Sequence, residues 1–385
     1  MFQPQEIKIA SFTAVSDEVR LALLNGQLAY AAAHSPAYRT LLPPGPLQSL
    51  SELSRLPLMD ADTLRREERR LVCVSADRVA RIVSLFTSGS TGTAKRLYFT
   101  ENDLARTVDF FAEGMAWMCG AGDTVAVLMP CTAPDGIGDL LCRGLERIGV
   151  RPLPIGIPED YAAVSDLLQR EQPQVLVGFP WHVRLLALRC PGLRPRAVLL
   201  SGDYIPPALS ALISRQWETR VLTHFGMTET GYGCAVQHPC AEEMFLRRDE
   251  FVAEIIDPVG LQPLPAGAVG ELVLSSLRRE AMPLLRYRTG DLARLTPEGN
   301  IGEILGRCRL PREFYRLQNE LSALPWLWDY QYTEDGLAAA VHPAAPADAA
   351  GELSDIAGMQ VCTRMIPTEA AACFHRGKRI PAGEL

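Results

Sequence analysis

A run of hydroxyls and glycines separates two strand-like segments of the chain, and it reads Leu85-Phe-Thr-Ser-Gly-Ser-Thr-Gly-Thr-Ala-Lys95. Arg81-Ile-Val-Ser-Leu-Phe86 leads into the run and Arg96-Leu-Tyr-Phe-Thr100 leads out of it, and both are typical of strands. Glycines let a backbone approach an anion and direct N–H groups at it, and Lys95 adds a compact positive charge. The spacing differs from the Walker loop Gly-x-x-x-x-Gly-Lys-[Ser/Thr], and a strand follows where that loop has a helix. The sequence therefore predicts a phosphate-binding loop held between two strands.

Strands and helices alternate beyond this loop. Thr100-Glu-Asn-Asp103 predicts a helix N-cap, with a helix to about Met118. The following strand and helix candidates alternate along the chain: strands at Thr124–Met129, Gln174–Gly178 and Ala197–Ser201, and helices at Gly136–Arg147, Pro180–Leu188 and Pro207–Trp217. This βαβ rhythm predicts an α/β fold with doubly wound sheets.

The pattern changes after residue 250. Val252–Ile256 and Gly270–Ser275 are short strand candidates separated by Pro/Gly turns, and they predict a small β-barrel-like subdomain. The chain after Arg307 predicts a shortened α+β cap. Within it Trp328–Val341 resembles a hairpin turning at Asp335-Gly336, and Ala344–Gly351 is an Ala/Pro/Asp loop.

Composition narrows the class of protein. A length of 385 residues indicates about two domains. The net charge of -7 argues against a nucleic-acid binder, which carries a basic stripe. The N-terminal residues lack the pattern of an export signal, and no window is long and apolar enough to span a membrane, so we expect a cytoplasmic protein.

The ten cysteines do not form the framework of a small disulfide-bonded domain, and reduced thiols are expected. Cys234, His238 and Cys240 are close in sequence, but a zinc site normally needs a second pair of ligands at a recognisable spacing. Cys308 is a distant candidate for a fourth ligand only. We therefore expect buried or loop thiols, and leave metal binding by these residues open.

Only three of the 38 basic residues are lysines, namely Lys8, Lys95 and Lys378. Lysine is a compact charge on a flexible stem, whereas arginine is a rigid fork. Codon bias is a sufficient explanation for Lys8. Lys95 closes the predicted phosphate loop, and Lys378 lies near the C-terminus in Arg376-Gly-Lys-Arg379, so both are functional candidates.

Four further motifs follow the loop in a fixed order: Ser201-Gly-Asp203, Phe225-Gly-Met-Thr-Glu229, Tyr287-Arg-Thr-Gly-Asp291 and Gly306-Arg307. Together with the loop, they resemble the motifs of the adenylate-forming superfamily of acyl-CoA synthetases, adenylation domains and luciferases. Each alone has an ordinary structural explanation, such as a helix cap or a turn, but the ordered set does not. Two segments are most similar to the phenylacetate-CoA ligase branch: Ser35-Pro-Ala-Tyr-Arg-Thr-Leu-Leu42 and Ala281-Met-Pro-Leu-Leu-Arg-Tyr287.

The resemblance implies a nucleotide site made of Thr87, Ser88, Gly89, Ser90, Thr91, Gly92, Lys95, Ser201, Gly202, Asp203, Phe225, Gly226, Met227, Thr228, Asp291 and Arg307. It implies that Phe225 lies on the adenine face and that Thr228 touches the α-phosphate. Glu229 is expected to hold Mg²⁺, a hard cation that prefers carboxylate oxygen. Asp291 is expected to accept hydrogen bonds from the ribose, with Arg307 supporting ribose or phosphate.

The resemblance also implies catalytic roles for Lys378, Lys95 and Thr228. A lysine on a small C-terminal domain bridges the carboxylate and the α-phosphate in this superfamily, and two anions that must meet need such a charge. The hinge departs from the family pattern, because Gly306-Arg-Cys-Arg309 has arginine where aspartate is usual and the following Lys-x-x-Gly element is missing. We expect domains at 1–306 and 307–385, with Lys378 carried by the second.

Candidates for the substrate pocket are Pro130, Phe179, Trp181, His182, Tyr204 and Tyr232. The first four follow middle strands, where ligands bind in open α/β sheets. Aromatic residues more often pack in a core than touch a substrate. His182 and His224 have no partnered nucleophile in the sequence, so no triad is predicted.

The predicted function is Mg-ATP-dependent activation of a carboxylic acid, aryl or arylacetic by resemblance, with release of pyrophosphate and transfer of the acyl group to coenzyme A. Two alternatives stay open. In the first, the acyl group is transferred to a carrier-protein thiol or an amine. In the second, the chain is a non-catalytic binder of nucleotide or acyl-adenylate. We expect ATP, Mg²⁺ and coenzyme A as cofactors or co-substrates, a small carboxylate as partner, and neither nucleic acid nor membrane.

Replacing Lys378 with Ala is predicted to reduce adenylate formation by orders of magnitude while ATP binding survives, because the lysine neutralises charge only as the two anions meet. Pyrophosphate release and equilibrium ATP binding measure the two quantities separately. A Lys8→Ala variant is the matched control. Unchanged adenylation in Lys378→Ala removes this lysine from the mechanism.

Overall fold

The computed structural model describes residues 15–85, 94–333 and 336–365. In these ranges the helices are α1 (Asp17–His34), α2 (Tyr38–Leu41), α3 (Ala61–Leu71), α4 (Glu101–Met115), α5 (Ile137–Arg147), α6 (Tyr161–Glu171), α7 (Pro180–Arg189), α8 (Pro207–Trp217), α9 (Arg312–Ser322) and α10 (Ala349–Ala357). The strands are β1 (Arg81–Leu85), β2 (Lys95–Phe99), β3 (Thr124–Leu128), β4 (Arg151–Pro154), β5 (Val175–Gly178), β6 (Ala197–Leu200), β7 (Arg220–Phe225), β8 (Ala235–Gln237), β9 (Met244–Leu246), β10 (Phe251–Ile256), β11 (Val269–Ser276), β12 (Tyr287–Leu295), β13 (Ile301–Arg307), β14 (Leu327–Thr333), β15 (Gly336–Val341) and β16 (Val361–Met365). Short 3₁₀ segments occur at Leu50–Arg55, Ala76–Arg78 and Thr228–Thr230.

The chain divides into two compact units, each made from two separate stretches. The first unit contains the described parts of Met1–Trp117 and His224–Arg309, and the second contains those of Met118–Thr223 and Leu310–Leu385. The domain boundary expected at residues 306/307 stays a prediction.

The second unit contains the predicted parallel sheet, with strand order β4-β3-β5-β6-β7. The chain runs from β3 outward to β4, then returns to β5 on the other side of β3 and continues in that direction. Right-handed crossovers in opposite directions place helices on both faces of a sheet, so the doubly wound prediction is confirmed. The point where the winding reverses lies between β3 and β5, whose following loops begin at Met129 and Phe179.

Strand burial explains why these segments form the centre of the sheet. All residues of β3, β5 and β6 are buried, as expected for parallel strands covered on both faces. The helices predicted beside them are present as α5, α7 and α8. The sequence patterns did not identify β4 and α6, because β4 contains two prolines and α6 is a short, weakly apolar helix.

The first unit is dominated by antiparallel strands. β10 to β13 pair consecutively, β13 pairs with β9, and β9 pairs with β8, which pairs with His224 and Phe225 at the end of β7. This confirms that consecutive short strands replace the alternation of strands and helices after residue 250. β1 and β2 form a separate antiparallel hairpin in which Leu85 is opposite Lys95. The Thr100 cap is also confirmed, since its hydroxyl accepts from the Asp103 N–H at 3.1 Å.

The C-terminal stretch packs into the core of the second unit. α9, β14, β15 and α10 contribute buried apolar side chains to the same cluster as α7 and α8. The predicted hairpin is confirmed as β14 and β15, and β16 adds a parallel partner to β15. The predicted loop at Ala344–Gly351 was too long by three residues, because the Asp348 side chain caps α10 at Ala349.

Arg184 links this stretch to α7. Its side chain is fully buried and donates to three main-chain carbonyls, those of Ser322 at 2.9 Å, Leu327 at 2.9 Å and Leu324 at 2.5 Å. The guanidinium also lies 4.6 Å from the centroid of the Trp181 ring. A buried guanidinium is tolerated only when its donors are satisfied, and here the C-terminal backbone satisfies them.

No helix within the described ranges is long and apolar enough to cross a membrane.

Replacing Arg184 with Ala is expected to destabilise the protein by about 3–5 kcal/mol, because three buried carbonyls lose their donor and a cavity remains. The urea midpoint measures the loss. Arg170→Ala is the control, since Arg170 is largely exposed beside Glu171 and its loss is expected to cost about 0.5 kcal/mol or less. Equal midpoints for the two variants contradict the anchoring role of Arg184.

Candidate active site

A buried cluster of three side chains forms the centre of the candidate site in the first unit. The Lys95 ammonium forms an ion pair with Glu229 Oε1, and the Tyr287 hydroxyl donates to the same oxygen at 3.0 Å. The Lys95 and Glu229 side chains are only 13% and 4% exposed. The three residues come from β2, the 3₁₀ turn and β12, so the fold brings together three of the motifs found in the sequence.

Burial alone raises the pKa of a carboxyl group. At Glu229 the charge of Lys95, with hydrogen bonds from Lys95 and Tyr287, outweighs burial and lowers the pKa below its ordinary value. Burial and the Glu229 charge raise the pKa of Tyr287, so its hydroxyl stays protonated and acts as donor. The cluster therefore holds a carboxylate that is ionised although it is buried.

Two glycines let the turn that bears Glu229 fold tightly. A Cβ on Gly226 would lie 2.1 Å from the Tyr232 carbonyl oxygen, and Gly231 has a φ of +70°. The Met227 carbonyl accepts from the Thr230 N–H at 3.0 Å and from the Tyr232 N–H at 2.9 Å. The motif Phe225-Gly-Met-Thr-Glu229 thus leads into a tight, hydrogen-bonded turn. Phe225, Gly226, Met227 and Thr228 stay partly exposed while Glu229 is buried.

Asp291 and Arg307 form a second group of candidate site residues in this unit. They are opposite each other on β12 and β13, and Arg307 Nη1 donates to Asp291 Oδ1 at 2.8 Å and to the Thr289 carbonyl at 3.2 Å. The Asp291 N–H donates to the Thr289 hydroxyl at 3.1 Å. Gly290 has a φ of +76°, which lets β12 bend where Asp291 is presented. The Asp291 and Arg307 side chains, which belong to two different sequence motifs, are therefore in direct contact.

In the second unit, candidate residues follow the central parallel strands. Pro130 follows β3, Phe179 follows β5, and Ser201, Gly202 and Asp203 follow β6. Gly202 has a φ of +87°, and a Cβ there would lie 2.4 Å from Phe179 Cε1. Phe179 therefore packs directly on the Gly202 backbone, at the sheet edge where open α/β folds bind ligands.

The other aromatic pocket candidates pack against protein. Trp181 and His182 are 6% and 2% exposed; Trp181 Nε1 donates to the Trp328 carbonyl at 3.1 Å, and His182 stacks on Tyr161. Tyr204 is partly exposed and contacts the Tyr315 ring edge to face. The pocket assignment of these residues has no support from their burial and stays a prediction.

In the first unit, Tyr232 is partly exposed, and its ring stacks on Phe99 with centroids 6.4 Å apart. Its pocket assignment also stays a prediction.

Several candidates lie outside the described residues: Thr87, Ser88, Gly89, Ser90, Thr91, Gly92 and Lys378. Their roles stay predictions. One contributor was missed by sequence reasoning, namely the Tyr287 hydroxyl. Tyr287 belongs to a motif that the sequence displayed, but nothing in the sequence indicated that its hydroxyl reaches Glu229, 58 residues away.

Comparison with known proteins identifies the family of the chain. The model of the AMP-binding enzyme family matches residues 30–278, which is more than half of the chain. The chain belongs to the AMP-binding enzyme family.

Two curated relatives of this AMP-binding enzyme are phenylacetate-coenzyme A ligases. The one from Thermus thermophilus is 30% identical over 309 residues, which cover 73% of this chain and 67% of the relative. The one from Pseudomonas putida is 30% identical over 322 residues, covering 77% and 72%. A solved structure of 2-hydroxyisobutyryl-CoA ligase, in the postadenylation state with an acyl-AMP, has a TM-score of 0.77 at 20% identity and covers 99% of this chain and 93% of that one. The last match shows a shared fold.

The donor set of this AMP-binding enzyme suits Mg²⁺. The ion takes oxygen ligands, keeps several waters, and is normally held by one or two carboxylates together with substrate phosphates. Glu229 supplies one ionised, buried carboxylate next to Thr228. Among the described residues no group of three histidine, cysteine or acidic side chains could by itself hold a metal. The site therefore fits a metal that arrives with phosphate.

The Cys234, His238 and Cys240 side chains differ in environment. Cys234 is fully buried, His238 lies against the Trp117 and Phe245 rings, and Cys240 is exposed.

His224, next to the Phe225 motif, gives a pH prediction. Burial lowers its pKa from 6.5 to about 4, among the Phe110 and Phe111 rings. Between these pH values the unfolded chain binds the proton and the folded one does not, so the free energy of unfolding falls by about 1.4 kcal/mol per pH unit as the pH decreases.

The His224→Gln variant isolates this contribution when urea unfolding is measured from pH 8 to pH 4. The difference at pH 8 reports the packing that is lost. Subtracting it leaves the linkage, which is near zero at pH 8 and is expected to grow, as a loss of stability in the wild type only, by about 1.4 kcal/mol per pH unit as the pH falls from 6.5 to 4. A difference that is constant over the whole range contradicts a depressed pKa at His224.

Proposed function

We propose that this chain is an AMP-forming carboxylate-CoA ligase. The observation that carries the proposal is the buried Lys95–Glu229–Tyr287 cluster behind Thr228, in a chain that belongs to the AMP-binding enzyme family. A carboxylate that is kept ionised in a buried site beside a predicted phosphate loop serves to hold a cation against phosphate. That arrangement suits attack of a carboxylate on ATP better than non-catalytic binding of a nucleotide.

In the first step a substrate carboxylate oxygen attacks the α-phosphorus of ATP, the α–β bond breaks, and pyrophosphate leaves with the electron pair. The products are an acyl-adenylate and pyrophosphate, and no redox change occurs. When bound, Mg²⁺ neutralises phosphate charge, and Glu229 would hold it. Thr228 lies partly exposed next to Glu229, as contact with the α-phosphate requires. Lys95 is already charged and desolvated at the same carboxylate.

The nucleoside is oriented by other residues. Asp291 presents acceptor oxygens for the ribose hydroxyls, and Arg307 keeps that carboxylate in place. Phe225 offers a partly exposed ring for adenine. Ser201, Gly202 and Asp203 form the adenine-site segment by resemblance. Lys378 brings the carboxylate and α-phosphate together, as a residue of a C-terminal domain that starts at residue 307.

In the second step the thiolate of coenzyme A attacks the acyl carbonyl carbon and AMP leaves. Support comes from the phenylacetate-coenzyme A ligases that resemble this chain. The same relatives favour an aryl or arylacetic acid. Pro130 and Phe179 follow β3 and β5 at the switch point of the sheet, and they are the pocket candidates whose location supports contact with the acid. The enzyme works in the cytoplasm in this proposal.

Pyrophosphate release from Mg-ATP is expected with at least one acid of a panel of aryl, arylacetic and short-chain acids, and multiple turnovers are expected only with coenzyme A present. Glu229→Gln keeps the shape of the side chain but removes its charge, and it is expected to lower the release rate about 100-fold or more. Glu298→Gln, at an exposed turn, is the matched control.

The outcomes separate the remaining functions. A single turnover that coenzyme A does not accelerate indicates a carrier-protein thiol or an amine as acceptor. Nucleotide binding without release of pyrophosphate by any acid overturns the enzymatic proposal and leaves a binding protein. Equal rates for Glu229→Gln and wild type exclude this cluster as the site of reaction.

A further inference from the structure

Arg279 is a buried arginine that belongs to none of the motifs of the site. It lies in the first unit between β11 and β12 and is 9% exposed. Its neighbour Arg278 has a 41% exposed side chain and pairs with Asp249 at 3.5 Å. Removing a guanidinium from water is costly unless its donors find acceptors, so the contacts of Arg279 indicate what it does.

The guanidinium of Arg279 supports the turn that bears Glu229. Nη2 donates to the main-chain carbonyl of Glu229 at 3.2 Å. A Cβ on Gly231 would lie 3.0 Å from both Nη1 and Nη2, so the glycine at the end of the turn leaves the space that the guanidinium fills. Arg279 therefore holds the backbone of the turn through its guanidinium.

The same guanidinium also contacts β2. Its central carbon lies 5.0 Å from the centroid of the Phe99 ring, within the range of a cation–π interaction. Phe99 ends the strand that Lys95 begins. Lys95 thus joins β2 to the carboxylate of Glu229, while Arg279 joins β2 to the carbonyl of the same residue.

The backbone around Arg279 is itself fixed. The Gln27 amide donates to the Arg279 carbonyl at 3.0 Å. The next two N–H groups, of Glu280 and Ala281, donate to the Asp103 carboxylate at 2.9 and 3.0 Å. The guanidinium is therefore preorganised by contacts from α1 and α4 before any ligand binds.

We propose that Arg279 is a positioning residue that holds the main chain of Glu229 against β2. It thereby sets the position at which the Glu229 carboxylate meets the metal that accompanies ATP. The inference rests on the proposed function, since it takes Glu229 as the metal-holding carboxylate. Residues that orient a metal ligand without touching the metal commonly contribute 10- to 100-fold to metal affinity or activity, so we expect about that effect here.

A simpler role must be distinguished from this one. Arg279 also lines a small cavity together with Asp103, Arg106 and Glu250, where it would only neutralise acidic charge. Loss of that role would weaken the fold, but it would not change how strongly a metal improves nucleotide binding.

The test compares the affinity for α,β-methylene-ATP with Mg²⁺ against the affinity in EDTA, as a ratio that does not depend on turnover. Arg279→Met keeps the apolar stem and removes the guanidinium, and it is expected to lower this ratio about 10- to 100-fold with nearly unchanged metal-free affinity. Arg278→Met is the matched control and is expected to keep the wild-type ratio. Pyrophosphate release at saturating nucleotide should fall in parallel for Arg279→Met only.

A ratio for Arg279→Met equal to that of wild type overturns the proposal, even if the variant melts at a lower temperature. Should Arg279→Met not fold, Arg279→Lys replaces it, because the ammonium keeps the buried charge but lacks the flat fork that spans Phe99 and Glu229. A wild-type ratio in that variant also overturns the proposal. A wild type whose nucleotide binding ignores Mg²⁺ instead contradicts the proposed function.

Discussion

The ion pair between Lys95 and Glu229 is the constraint on which the rest of the first unit depends. Two buried charges are tolerated only if each stays within contact of the other and the remaining polar atoms find partners. The hairpin of β1 and β2 must therefore lie against the turn at Thr228–Thr230, although 134 residues separate Lys95 from Glu229. Tyr287 supplies the additional donor that such a pair needs. Because Tyr287 is the first residue of β12, this hydrogen bond also connects β12 to the pair.

This arrangement has a functional consequence. A carboxylate that is already ionised and desolvated does not have to reorganise when a cation and phosphates arrive. In the proposed function, the Lys95 ammonium that compensates Glu229 in the protein alone would turn to phosphate when a cation takes over that task. Under that proposal the cluster is paired without ligand and complementary to a bound metal–nucleotide, which a lone buried glutamate would not be.

The second unit is organised around its buried parallel sheet. Its parallel strands are buried on both faces, and the winding reverses between β3 and β5, at the sheet edge where open α/β folds bind ligands. Phe179 and Gly202 pack at that edge. The C-terminal stretch shares the core of the same unit, where Arg184 binds its carbonyls. Apolar burial and one satisfied guanidinium thus hold together parts of the chain that are far apart in sequence.

The sequence by itself determined the central parallel strands and the motifs that mark the candidate site. Alternation of apolar segments with turns specified β3, β5 and β6, because buried strands need continuous apolar residues, and the ordered motifs indicated Lys95, Glu229 and Asp291 as site residues. Only the tertiary structure decided which partners these residues have. The Tyr287 hydroxyl and the Arg184 guanidinium reach acceptors 58 and about 140 residues away, and such contacts depend on how strands and helices pack, which local residue patterns do not encode.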